Sequence, residues 1–65
     1  MSHTMKLEDG TPVSMFRGEV PGTNEIVTAI TRDRGPVKFQ VVNTEWILFN
    51  GESVATVYVR EADMQ

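Results

Sequence analysis

The chain has 65 residues, no cysteine, one histidine and a net charge of −3. A chain this short holds one domain, and such a domain buries only about 60% of the surface its unfolded form exposes. Without cysteine there is no disulfide and no thiolate metal site, and His3 by itself cannot complete a zinc site.

Of the staples that small folds use, a second chain is the one still open, so a homo-oligomer or a protein partner is expected. The mild acidity argues against nucleic acid, which draws a basic surplus. No stretch approaches the roughly 18 apolar residues of a membrane helix, and Met1–Gly10 lacks the apolar run of a signal peptide. A cysteine-free chain of this kind is expected in the reducing cytoplasm.

Met5 is a second possible start, and residues 1–8 are expected to form a flexible N-terminal segment ahead of a single small β-barrel domain at 9–65. Turn signals then recur at short intervals: Asp9-Gly10, Pro21-Gly22, Asp33-Arg34-Gly35-Pro36 and Asn50-Gly51. The runs between them are rich in Val, Ile, Thr, Phe and Tyr. They predict strands at about 12–18, 25–32, 36–42, 45–49 and 53–60. No window carries sustained helical periodicity, and no repeat or low-complexity tract is present.

The strongest local signal is Asn50-Gly51, because a type I′ turn needs positive φ at both central residues. That turn sets Phe49 opposite Glu52, Leu48 opposite Ser53, Ile47 opposite Val54 and Trp46 opposite Ala55. A second tight turn at Asn43-Thr44 would bring Val41 opposite Trp46 and Phe39 opposite Leu48. One face then collects Val37, Phe39, Val41, Trp46, Leu48, Ala55, Val57 and Val59, the expected core. Ile26, Thr28, Ile30, Val13 and Met15 are its expected complement. The opposite face should be polar but carries Ile47, Phe49, Val54 and Tyr58, which read as an interface patch.

The closing Arg60-Glu61-Ala62-Asp63-Met64 after a long last strand resembles the end of many SH3-like barrels. Asp9-Gly10-Thr11-Pro12-Val13 and the stretch Pro21 to Val27 resemble their opening loop and the strand that follows. In length and layout the chain is similar to the plasmid-type (type II) dihydrofolate reductases, small barrels that assemble as tetramers around a pore. Ala55-Thr56-Val57-Tyr58 lies where that family has Val-Gln-Ile-Tyr. Tyr58 matches, Thr56 replaces the ligand-contacting Gln, and the family's Lys and Trp have no clear counterpart. The resemblance therefore implies the barrel and its assembly, not the reaction.

Conventional catalysis finds few residues. There is no Cys–His or Ser–His–Asp set, since the one His is near the terminus. Glu45 and Glu52 share the outer face and are the nearest thing to a carboxylate pair; a solvated face explains them better. Arg32, Arg34 and Lys38 gather around one hairpin tip and are a candidate anion-binding cluster, diluted by Asp33. No phosphate loop and no metal motif is present, so no cofactor and no metal are expected.

The expectation is an all-β domain, a small antiparallel five-stranded SH3-like barrel. Its expected function is a non-catalytic binding or assembly module. Two alternatives stand beside it: an oligomeric enzyme with a pore active site, and a small phage- or mobile-element-type inhibitor of a host protein.

Overall fold

A computed structural model describes residues 2–62 of the chain. These residues form five strands and no helix: β1 (His3–Leu7), β2 (Pro12–Phe16), β3 (Ile26–Thr31), β4 (Gly35–Phe49) and β5 (Glu52–Glu61). They make one sheet in the order β2-β1-β5-β4-β3. The two ends of that order, β2 and β3, approach without pairing, so the sheet curls into a half-barrel with an open seam.

The sheet is mixed rather than antiparallel. β1 runs parallel to β5, from Thr4 opposite Thr56 to Leu7 opposite Val59. The sequence reading set 1–8 outside the barrel, yet His3–Leu7 supplies the central partner of β5. Met5 is buried and Leu7 packs against the core, while Thr4 and Lys6 alternate to the outer face. The Asp9-Gly10 signal closes the β1–β2 hairpin as expected. Asp9 Oδ1 accepts from Thr11 N–H at 2.9 Å, and Gly10 takes φ +95°.

Asn50-Gly51 forms the β4–β5 turn with positive φ at both residues, +51° and +78°. The pairs Phe49–Glu52, Leu48–Ser53, Ile47–Val54 and Trp46–Ala55 follow as that turn dictates. There is no turn at Asn43-Thr44. Strand β4 runs unbroken through these residues, with a bulge between Val41 and Asn43, so Val41 pairs Val59 and Phe39 pairs Glu61. Asn24 and Asn50 are the described non-glycine residues with positive φ; Asn43 is not among them. β-branched Thr44 would also resist the left-handed region that a type I′ turn demands. The bulge inverts side-chain parity just as the turn would have, so odd residues 37–41 and even residues 44–48 still share one face.

Among the described residues seven are buried in the core: Met5, Ala29, Phe39, Val41, Ala55, Val57 and Val59. Leu7, Val13, Phe16, Val20, Val27 and Val37 pack around them. Strand β3 faces opposite to expectation, with Val27 and Ala29 inward and Ile26, Thr28 and Ile30 exposed. The turn before β4 decides this. Thr31 Oγ1 donates to the Gly35 carbonyl at 2.9 Å and accepts from Arg34 N–H at 3.1 Å, which sets Val27 opposite Phe39 and Ala29 opposite Val37. Met15 is likewise exposed, because it pairs Thr4 on the outer face.

Candidate functional site

Strand β4 has 15 residues, but its outer neighbour β3 reaches only as far as Gln40. Beyond that, Asn24 N–H and the Glu25 carbonyl bond to Val41, and no described strand follows on this side. On the other side, β1 leaves β5 at Thr56. The β4–β5 hairpin therefore outruns the strands that would cover it, and residues 45–54 project as an arm. A straight 15-residue strand would span about 50 Å, more than the longest of the molecule's 41 × 23 × 22 Å extents, so β4 bends along its length.

The arm is apolar on both faces. Trp46 is 56% exposed and Leu48 79%, on the face continuous with the core, while Ile47 is 48% exposed and Phe49 64% on the outer face. Trp46 and Leu48 were expected inside the core; they are outside because neither β1 nor β3 extends far enough to cover them. Four consecutive large apolar residues exposed in a chain this small are a feature to be explained rather than ordinary surface.

Of the expected interface residues, Ile47 and Phe49 sit on the arm. Val54 is half-buried opposite Ile47, and Tyr58 is half-buried further down β5, between Lys6 and Asn43. The outer-face patch is therefore graded, most exposed towards the tip. Sequence reasoning missed that Trp46 and Leu48 belong with it. Strand lengths held the signal: the stretch 35–49 has no partner of matching length.

His3 anchors the root of the arm. Its Nδ1 accepts the Ala55 N–H at 3.0 Å, just past the last β1–β5 pair. The ring lies 6.0 Å from Trp46, edge to face, and 5.4 Å from Phe16. A side chain thus closes the β5 edge where β1 stops. The β4 edge has no such closure among the described residues.

The candidate anion-binding residues Arg32, Arg34 and Lys38 lie at and beside the β3–β4 turn. Lys38 pairs Thr28 on the outer face, while Arg34 is committed to Glu61 through two bonds of 2.9 and 3.1 Å. That guanidinium hydrogen bond holds the Glu61 carboxyl below its ordinary value. Arg32 and Arg34 border a cleft of about 740 Å³ along the open seam, with Leu7, Val13, Met15, Ile30 and Phe39 among its walls.

Glu45 pairs Thr56 and Glu52 pairs Phe49, so the two carboxylates stand four residue levels apart. That is about 13 Å along the strands. It exceeds the roughly 6.5–9.5 Å over which two carboxylates work on one bond with a water between them. Among the described residues no three acidic or imidazole groups gather as a metal site, and no helix is long and apolar enough to cross a membrane. No protein-family description matches the chain, and no match is found among curated proteins or solved structures.

Proposed function

We propose that this protein is a small non-catalytic binding or assembly module that acts through its β4–β5 arm. The observation that carries the reading is the run Trp46, Ile47, Leu48, Phe49, exposed on both faces of a projecting hairpin. Fully covering side chains of this size is worth roughly 1.5–3 kcal/mol each, so the arm can supply several kcal/mol to association. Part of that gain offsets lost rigid-body freedom. The half-barrel is the platform, and we read its five curled strands as related in layout to SH3-like barrels, with the parallel β1–β5 pair and the long β4–β5 hairpin as its departures. The cysteine-free composition fits a cytoplasmic setting.

A pore enzyme like the type II dihydrofolate reductases has less in its favour. Thr56, which stands at the ligand-contacting position of that resemblance, is buried between Thr4 and Glu45. An inhibitor of a host protein would use the same arm and is a special case of the binding module.

The test is binding of an apolar fluorescent dye, anilinonaphthalene sulfonate, to dilute protein and to Phe49→Glu, beside circular dichroism of both. The parent should bind the dye and the variant should stay folded with binding largely lost. Unchanged dye binding, or a variant that unfolds outright, would show that the arm is not the sticky surface.

A further inference from the structure

We propose that the arm's occupant is a second copy of this chain, joined edge to edge through β4; this rests on the arm being the association surface. The backbone supplies the first argument. In a two-residue hairpin the residues flanking the turn exchange hydrogen bonds, so Phe49, Ile47 and Glu45 direct their N–H and C=O groups to β5. Thr44, Trp46 and Leu48 direct theirs to the other edge. Two observed bonds fix the same phase. Ala55, the partner of Trp46, sends its N–H to His3 rather than to β4, and Val41, before the parity-inverting bulge, bonds to Asn24 and Glu25.

The second argument is that this edge is weakly defended, its one charged side chain between Thr44 and Phe49 being Glu45. From Thr44 to Phe49 it has no proline, no lysine and no bulge, whereas β2 opens with Pro12 and the β5 edge is closed by His3. A largely apolar, weakly defended edge is a template for another strand.

The third argument is self-complementarity. In a two-fold antiparallel pairing with Ile47 on the axis, Trp46 faces Leu48 of the second copy, and Ile47 faces its own mate. Phe49 faces Glu45 of the second copy. The edge-directed groups of Trp46 and Leu48 then bond to each other across the axis. The two Glu45 carboxylates stay about 13 Å apart, beyond the roughly 8–10 Å screening length in physiological salt. Pairing runs from Thr44 to Asn50 of the second copy and stops short of Val41, whose edge is already taken.

Four side chains of this size, more than half exposed on average, offer on the order of 500 Å² per copy. The joint area lies at the small end of specific interfaces, so the dimer should dissociate on dilution.

The chain has no cysteine, which makes a single-cysteine test clean. On the axis, Ile47→Cys meets its mate as a non-hydrogen-bonded pair with Cα atoms about 4.5 Å apart, within disulfide reach. Phe49→Cys lies about 13 Å from its mate and is out of reach. Mild oxidation near the top of the soluble concentration range should cross-link Ile47→Cys into dimers at least tenfold faster than Phe49→Cys, with sedimentation showing that the parent dimerises. A parent that stays monomeric there overturns the second copy as occupant; if it still binds dye, the arm reading survives and the partner is another chain. A parent dimer in which Phe49→Cys cross-links as fast as Ile47→Cys overturns the edge pairing.

Discussion

Two truncations separate the arm from the core, Val57→Ala and Leu48→Ala. Val57 is 0% exposed and sits mid-strand among Met5, Val41, Val59 and Ala55. Removing its two methyl groups forfeits about 1.6 kcal/mol of transfer free energy, and the cavity left behind raises the loss to about 2–3 kcal/mol. A 65-residue domain has total stability on the order of 3–10 kcal/mol, so Val57→Ala should remove a large share. Leu48 has a bigger side chain but is 79% exposed. Only about a fifth of its transfer free energy is realised within one chain, so Leu48→Ala should cost about 0.5 kcal/mol or less. Urea titration followed by circular dichroism on dilute protein measures both. Raising the concentration should stabilise the parent but stabilise Leu48→Ala less. If Leu48→Ala costs as much as Val57→Ala in dilute solution, the arm packs against its own barrel and the reasoning fails.

Three further outcomes follow from named contacts. His3→Phe keeps a ring beside Trp46 and Phe16 but removes the acceptor of the Ala55 N–H, and urea titration should show a loss of about 1 kcal/mol. Gly51→Val forces a β-branched residue into φ +78° and should cost at least about 1–2 kcal/mol by the same titration, with the hairpin amide shifts most perturbed. Because the Arg34 guanidinium holds the Glu61 carboxyl below its ordinary value, the pair favours the folded state at pH above the ordinary carboxylate range. That contribution is lost as pH falls through the lowered value; carboxyl NMR titration of Arg34→Gln should return Glu61 to its ordinary range.

The sequence made some parts of this molecule legible and hid others for identifiable reasons. Asn50-Gly51 is a local instruction, and the four pairs it dictates are all present. The shared face of Phe39, Val41, Ala55, Val57 and Val59 was readable from alternation, although a bulge rather than a turn joins its halves. A bulge has no strong residue signature, and Asn43 invites the wrong reading. The facing of β3 was hidden because both Ile26-Thr28-Ile30 and Val27-Ala29 alternate acceptably, and the Thr31 hydroxyl in the turn chooses between them. β1 was missed although Met5 and Leu7 alternate with Thr4 and Lys6, because its pairing with β5 is parallel and non-local. The arm depends on relative strand lengths, which no single stretch of sequence displays. The closing Asp63 and Met64 of the resemblance to SH3-like barrels lie outside the described residues.

Backbone amide exchange at Trp46 and Leu48, followed against protein concentration, tests the closure of the β4 edge most directly. Their N–H groups point away from β5 and lack a partner within one chain, whereas Ile47 and Phe49 donate to β5 and serve as internal references. If a second copy pairs with this edge, Trp46 and Leu48 exchange quickly in dilute protein and become protected as concentration rises, in step with sedimentation. Fast exchange at both residues across the whole soluble range, with Ile47 and Phe49 protected throughout, would contradict it.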